Sequence, residues 1–304
     1  MIKGVFTMKK LSDIRIRDPF ILPHNGTYYL YGTIGETKGE KSLYVHQSAD
    51  LIDWTEPQVI FTLPDNSWAV GELWAPEVHK YNGRFYLFVS ILGKNGLRGM
   101  QIAVSNTPDG PFKCISNKPI TPLDKSCIDG TLYVENGAPY IVYSHDWPDN
   151  YIKEKGVYVG QICALQLNEA LTDSVGKPFL LFDSWDAPVS QNAPVTHEFE
   201  GKTVTRCGSD GPFLIKKDGK LLLLWSPIPK GNYIVAYAIS ENGSIKGNWR
   251  HCKKPLFSDN GGHAMVFEDF NGKLTMCIHH PEVYFNEHAL LQRISLEDAV
   301  PTLM

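Results

Sequence analysis

The sequence has no excess of positive charge and no long apolar run. Its 304 residues carry a formal net charge of -4, with 29 Lys and Arg against 33 Asp and Glu. Proteins that bind nucleic acids neutralise phosphates with clustered Lys and Arg, so the composition excludes a nucleic-acid partner and favours a neutral, polar one. No segment approaches the roughly 20 apolar residues that span a bilayer, and we therefore expect no membrane partner.

Paired cysteine motifs are also missing. The six cysteines are scattered along the chain without a CxxC pair, which excludes a zinc knuckle or a redox motif. Residues 1–18 contain no apolar stretch long enough for the central region of a signal peptide. We therefore expect free thiols and a cytoplasmic protein, with a secretory leader trimmed from this chain left open.

The sequence contains five copies of one strand pattern and no convincing long amphipathic helix. Each copy has an Asn-Gly or Asp-Gly turn, the strongest short signal for a tight hairpin, followed by an apolar or aromatic strand. The turns begin at Asn25, Asn82, Asn136, Asp218 and Asn271. Neighbouring turns are about 55 residues apart, a length that suits four short strands, except that the third interval holds an insertion.

A second short strand precedes each turn and starts near residues 18, 75, 129, 210 and 262. Every repeat thus begins with a hairpin. The pattern predicts an all-β protein that folds as a single five-bladed β-propeller domain over residues 1–304.

Acidic residues open three of the five hairpins. The innermost strands of a propeller line its central channel, so Asp18, Asp129 and Asp210 are expected at equivalent positions around one volume. Converging carboxylates perturb one another's pKa values, as acid and base catalysis requires. Each Asp alone could simply cap a turn before Pro or Gly, but three in register favour a catalytic site.

The hairpin openings resemble those of glycoside hydrolase family 43, the five-bladed arabinofuranosidases, xylosidases and arabinanases. The resemblance runs from Arg17 to about residue 295. It is carried, in chain order, by Arg17-Asp18-Pro19-Phe20, Trp74-Ala75-Pro76-Glu77-Val78, Ile128-Asp129-Gly130, Asp210-Gly211-Pro212 and Gly261-Gly262-His263. The substrate class that it implies is a plant-type oligosaccharide or polysaccharide, cleaved as an α-L-arabinofuranoside or a β-xyloside.

The resemblance also implies roles for the three acids. Asp18 matches the general base, and Asp129 matches the residue that tunes the pKa of the acid and orients the sugar. Asp210 stands where the family usually has a glutamate as general acid. Because Asp is one methylene shorter, Glu198, Asp186 and Glu77 remain open as alternative acids.

The reaction mode is predicted from the placement of the acids. Asp18 and Asp210 begin strands of non-adjacent blades, which favours the wide carboxyl separation of an inverting glycosidase. A narrow propeller axis favours a pocket for a chain end, and hence exo action.

Six further residues are expected to bind the substrate. Trp74 can stack on the apolar face of a sugar, and Arg17 can hold the neighbouring base ionised. The others are Phe20, Glu77, His145 and His263. The resemblance implies no required cofactor, but leaves open a calcium ion near the axis with His263 beside it.

A propeller without hydrolytic activity is the main alternative. A lectin-like propeller would share the aromatic residues and the fold, but would repeat its binding residues on every blade. A WD-repeat interaction propeller would show regular Trp-Asp endings, and this dipeptide occurs once, at Trp185. Three unequal acid positions favour an enzyme.

Overall fold

The structure, a computed structural model, describes residues 8–34, 39–191 and 194–304. Residues 1–7, part of the segment considered for a leader, lie outside it. Strands dominate the described residues, which confirms the all-β prediction. Their helices are one α-helical turn, α1 (Pro188–Gln191), and the 3-10 turns Leu11–Asp13, Trp147–Asp149, Ser184–Asp186 and Pro229–Gly231.

Within the described ranges, five four-stranded antiparallel sheets follow one another along the chain, each with its strands in sequence order. Sheet 1, with the short β1 (Lys9–Lys10) and β5 (Asp53–Trp54) paired beside it, contains β2 (Arg17–His24), β3 (Thr27–Thr33), β4 (Ser42–Ser48) and β6 (Gln58–Thr62). Sheet 2 contains β7 (Ala69–Tyr81), β8 (Arg84–Gly93), β9 (Arg98–Ser105) and β10 (Lys113–Cys114). Sheet 3 contains β11 (Cys127–Glu135), β12 (Ala138–His145), β15 (Gln161–Gln166) and β16 (Phe179–Asp183).

The remaining strands complete the pattern. Sheet 4 contains β19 (Asp210–Lys217), β20 (Lys220–Ser226), β21 (Ala236–Ser240) and β22 (Trp249–His251). Sheet 5 contains β23 (Gly262–Glu268), β24 (Leu274–His280), β25 (His288–Glu297) and β26 (Val300–Leu303). An inserted sheet is built from β13 (Tyr151–Ile152), β14 (Val157–Val159), β17 (Val195–Phe199) and β18 (Lys202–Cys207), and it accounts for the long third interval.

The core lies between neighbouring sheets, as strand β20 illustrates. Leu221, Leu223 and Trp225 pack in one cluster with residues of sheet 3. Leu222 and Leu224 pack in another with residues of sheet 5. A continuous apolar run of this kind is typical of a strand buried on both faces, because successive side chains point to opposite sides of the sheet.

The first strands of the five sheets contact one another in a ring. β2 contacts β7, β7 contacts β11, β11 contacts β19, β19 contacts β23, and β23 contacts β2. The chain enters the inserted sheet twice, each time from the same end of sheet 3. It leaves first after His145, the end of β12, which pairs with Cys127 at the start of β11. It leaves again after Asp183, the end of β16, which pairs with Gln161 at the same end. The insertion therefore lies at the end where the first strands begin.

Candidate active site

Each first strand contains the same local distortion, at its start or within its first half. One residue pairs with the second strand, and a register shift follows at once. These pairs are Arg17 with Thr33, Trp74 with Ser90, Ile128 with Ser144, Asp210 with Ser226, and Gly262 with His279. The next residue in each case has a positive φ: Asp18 (50°), Ala75 (45°), Asp129 (56°), Gly211 (52°) and His263 (55°). Bulges of this kind re-aim side chains next to active sites.

This register corrects one prediction. Asp18 and Asp129 do occupy equivalent positions, but the equivalent residue in sheet 4 is Gly211. Asp210 lies one position earlier, level with Arg17. The sequence pattern aligned the three acids because each precedes Gly or Pro, whereas the bulge sets the true register.

All three acids nevertheless meet at one cavity of about 250 Å³. Its lining also contains the predicted Arg17, Trp74 and His263, together with Thr33, Ile128 and Tyr284. The structure thus brings together six of the residues singled out in the sequence. The three carboxyls converge because their strands begin at the same end of the ring.

Asp18 is held as a carboxylate. Although burial opposes ionisation, contact with His263 and the nearby charge of Arg17 hold the pKa of Asp18 well below its usual range. His263 Nδ1 lies 3.2 Å from Asp18 Oδ1, and Thr33 Oγ1 donates to Asp18 Oδ2 at 2.9 Å. The Thr33 hydroxyl is itself oriented, because it accepts from Ala75 N at 2.9 Å.

Asp129 and Asp210 are shifted in the opposite direction. Burial, opposed by His263 and reinforced by Asp18, raises the pKa of Asp129 to about 6. Burial and the negative charges of Asp129 and Asp146 raise the pKa of Asp210 to about 8. Near neutral pH the cavity therefore holds an ionised Asp18 and a protonated Asp210.

The described contacts of His263 are with carboxylates. Nδ1 lies 3.2 Å from Asp18 Oδ1 and 3.9 Å from Asp129 Oδ2. Although burial favours the neutral ring, these two carboxylates raise the pKa of His263 to about 9. The part of the chain that the structure describes also contains no group of three or more His, Cys, Asp or Glu able to hold a metal ion. A calcium ion caged by several protein ligands therefore finds no site among the described residues.

Three predicted substrate-binding residues lie outside the cavity. Phe20 lines a separate cavity further along the first strands, with His79 and Phe213. Glu77 is buried and bonds His79 Nε2 through Oε2 at 2.7 Å. His145 is buried with both ring nitrogens engaged, by Gln161 at 2.8 Å and Asp149 at 2.5 Å. Phe20 and Glu77 thus contact residues further along the first strands, and hydrogen bonds hold His145.

The alternative acids are also elsewhere. Glu198 is exposed and accepts a hydrogen bond from Thr203 Oγ1 on the inserted sheet. Asp186 is exposed, accepts from Asp183 N at 3.3 Å, and lies near His251 at the outer edge of sheet 4. Neither side chain lines the cavity.

Several residues of the site carried no clear sequence signal. Tyr284, 67% exposed, stands at the cavity from the loop after β24. Asp146 follows β12, and its charge acts on both Asp129 and Asp210. Arg98 stacks on Trp74, with its guanidinium carbon 3.0 Å from the ring centroid. Of these three residues, only Asp146 could have been linked to the site from its position in the sequence, because it directly follows the third hairpin.

Comparison with known proteins gives the family. The model of the glycosyl hydrolases family 43 matches residues 11–301. The chain belongs to this family. It is therefore a glycoside hydrolase, which confirms the predicted resemblance and favours an enzyme over a lectin-like propeller.

The names of the solved and curated relatives of this family 43 hydrolase include arabinan-cleaving and xylan-cleaving enzymes. An endo-arabinase structure from Bacteroides thetaiotaomicron VPI-5482 is 35% identical, with a TM-score of 0.84, and the match covers 97% of this chain and 99% of that one. An extracellular exo-α-(1→5)-L-arabinofuranosidase from Streptomyces chartreusis is 21% identical over 88% of this chain and 80% of its own length. An extracellular endo-α-(1→5)-L-arabinanase 2 from Bacillus subtilis (strain 168) is 27% identical over 54% of this chain and 38% of its own.

These relatives overturn the predicted location. The two curated relatives are both named as extracellular proteins, so the prediction of a cytoplasmic protein is wrong. The apolar content of residues 1–18 was a poor guide to the compartment. No helix among the described residues is long and apolar enough to cross a membrane.

Proposed function

We propose that this family 43 hydrolase cleaves α-L-arabinofuranosyl linkages with inversion, using Asp18 as general base and Asp210 as general acid. One observation carries the assignment: the environment drives the pKa values of two carboxyls in one cavity in opposite directions, Asp18 downward and Asp210 to about 8. Such a split identifies the base and the acid of a site that uses both.

The proposed reaction is a single displacement. Asp18 takes a proton from water as the water oxygen attacks the anomeric carbon, and Asp210 gives its proton to the departing glycosidic oxygen. The bond from the anomeric carbon to that oxygen breaks as the bond to water forms. Asp129 supports the acid, because its negative charge raises the pKa of Asp210, and its Oδ2 accepts from Gly211 N at 3.1 Å.

The fold that we propose is one five-bladed β-propeller over residues 1–304. The ring of contacts among β2, β7, β11, β19 and β23 supports it, as does the repeated order of four antiparallel strands. The inserted sheet would then be an addition to the third blade. It would not form a sixth blade, since its β14 and β18 pair in parallel.

Walls around the cavity favour exo action. In sheet 2, the pairs Ala69 with Gly93 and Leu92 with Arg98 extend the strands beyond the level of Trp74. The inserted sheet brings Arg206 close enough for its charge to act on Asp210, and Tyr284 stands on the side of sheet 5. A cavity walled on three sides suits a chain end better than the middle of a polymer.

The names of the relatives described above agree on arabinan as the substrate but differ on whether it is cleaved internally or from its ends. Two of those described cleave arabinan internally by name, and one removes terminal units. Their shared substrate favours an α-(1→5)-linked arabinan over a β-xyloside, and the extracellular relatives favour a secreted enzyme that meets the polymer outside the cell.

The test is product analysis on linear arabinan beside a panel of nitrophenyl glycosides. We expect turnover of nitrophenyl α-L-arabinofuranoside and release of arabinose alone from arabinan, with viscosity falling slowly. Release of arabino-oligosaccharides early in the reaction would show endo action instead of exo action. Turnover of the nitrophenyl β-xyloside alone would contradict the proposed arabinofuranoside substrate. Asp186→Asn, far from the cavity, is the control for Asp18→Asn and Asp210→Asn.

A further inference from the structure

One position that recurs in all five sheets holds a different type of side chain at the junction of sheets 5 and 1, where the proposed base Asp18 lies. In each sheet one residue on the second strand pairs with the residue just before the distorted one. It is Thr33, Ser90, Ser144 and Ser226 in sheets 1 to 4, and His279 in sheet 5. Three of the hydroxyls accept from the backbone of the next sheet's distorted residue: Thr33 from Ala75 N at 2.9 Å, Ser90 from Asp129 N at 2.8 Å, and Ser226 from His263 N at 2.8 Å. A hydroxyl therefore suffices to join neighbouring sheets.

At the junction of sheets 5 and 1 an imidazole takes this place. Asp18 N donates to His279 Nδ1 at 3.1 Å. Because Nδ1 accepts, the ring proton is on Nε2, which lies 2.6 Å from Glu282 Oε2. A serine hydroxyl could accept from Asp18 N, but it is too short to reach Glu282.

These hydrogen bonds are part of a closed ring of interactions. Arg17 Nη1 donates to Glu282 Oε1 at 3.0 Å, and Arg17 is bonded through the peptide to Asp18. The circuit therefore runs from the Asp18 backbone through His279 and Glu282 to Arg17 and back. It is anchored further by Glu287, fully buried, which accepts from Arg17 Nη1 at 2.9 Å.

The packing leaves His279 a single orientation. Its side chain is fully buried, and its ring is stacked on Tyr233, with centroids 5.2 Å apart and planes 14° apart. Asp18 has a φ of 50°, which is unfavourable for a residue with a Cβ. Such a conformation persists only where its surroundings over-determine it.

We propose that His279 and Glu282 are positioning residues that hold the backbone of Asp18 so that its carboxylate faces the attacking water. The inference rests on the proposed role of Asp18 as base. Neither residue touches the sugar; both act through Asp18. The histidine replaces the hydroxyl of the other repeats at the one junction whose backbone donor belongs to the base.

The test compares His279→Ser, which installs the side chain of Ser90 and Ser226, with Glu282→Gln and Glu282→Ala. Because a small misplacement of a catalytic group can cost about 10²-fold, we expect kcat of His279→Ser to fall by about that factor with KM nearly unchanged. The factor should be the same for good and poor leaving groups, since attack by water is impaired. Glu282→Gln, which still accepts from His279, should retain more activity than Glu282→Ala.

The control is His46→Ser. His46 is also buried, 3% exposed, and bonds the carbonyl of Thr55 at 2.7 Å in sheet 1, away from the cavity. We expect it to lower the melting temperature without lowering kcat.

The outcomes separate the two proposals. If the wild type is active and both His279→Ser and Glu282→Ala keep its kcat, the positioning role alone is wrong. Activity retained in Asp18→Asn would overturn the proposed base, and with it this inference. If His279→Ser fails to fold, the comparison of Glu282→Gln with Glu282→Ala decides, and equal losses in the two would contradict the role.

Discussion

His263 Nδ1 lies between the carboxylates of two different sheets, 3.2 Å from Asp18 Oδ1 and 3.9 Å from Asp129 Oδ2. One cation thereby stabilises the ionised form of the proposed base and limits the rise in the pKa of Asp129. Its ring occupies the space beside Gly211, where a Cβ would meet His263 Cγ at 2.8 Å. The site depends on this close approach of backbone and ring.

Removing either proposed catalytic carboxyl should abolish most turnover. We expect Asp18→Asn and Asp210→Asn each to lower kcat by about 10²- to 10⁴-fold, the usual contribution of a general acid or base. A substrate with a good leaving group needs no proton, so dinitrophenyl arabinofuranoside should rescue Asp210→Asn and leave Asp18→Asn inactive. Near-normal turnover of Asp210→Asn on arabinan would show that another group donates the proton.

The pH profile should report the protonated acid. Activity should decline as pH rises through the pKa of Asp210, about 8, because the acid loses its proton. The negative charge of Asp129 contributes to that raised pKa, so Asp129→Asn should move the alkaline limb to lower pH. The measurement is kcat/KM against pH for both proteins on a linear arabino-oligosaccharide, whose leaving alcohol requires the proton. An alkaline limb that stays in place or moves upward would contradict the coupling.

Gly211→Ala should damage the site more than the fold. The new Cβ would meet the His263 ring at 2.8 Å, in a backbone with φ of 52°. Gly137→Ala is the matched control, since Gly137 has a φ of 83° and nothing within 4 Å of its added Cβ. Left-handed backbone should cost each variant about 1–2 kcal/mol of unfolding free energy. Only Gly211→Ala should lose kcat, and equal activity of the two would argue against the His263 contact.

The exposed Tyr284 should contribute to sugar binding. Its ring stands at the cavity with 67% of its surface exposed, and aromatic faces stack on sugars. We expect Tyr284→Ala to raise KM for arabinan several-fold with little change in kcat. Phe270→Ala is the control, because Phe270 is 47% exposed in the turn that joins β23 to β24, at their far ends from the site. A similar KM in both variants would remove Tyr284 from the binding surface.

The repeat pattern was a good guide to the sheets and a weaker one to the site. Tight Asn-Gly and Asp-Gly turns have local causes, so all five hairpins could be predicted. Asp210 was placed one position out of register because a bulge depends on backbone pairing that no short motif encodes. Glu77 and Phe20 were assigned to the site from proximity along the chain, whereas in the structure both lie beside His79, further along the first strands.

Residues that reach the cavity from loops could not be predicted for a different reason. Tyr284 and Asp146 lie in connections whose paths depend on packing between sheets. His279 did fall in a recognised strand, but its departure from the hydroxyl pattern has meaning only once the hydrogen bond from Asp18 N is seen.

The most direct test of the account is the configuration of the first sugar released. Proton NMR during the first minutes of hydrolysis, before mutarotation, distinguishes the two anomers of arabinose. If Asp18 activates water across the cavity from Asp210, an α-L-arabinofuranoside must give the β anomer first, since the carboxyls of an inverting enzyme stand about 6.5–9.5 Å apart to admit that water. Initial release of the α anomer would make Asp18 a nucleophile and contradict the mechanism.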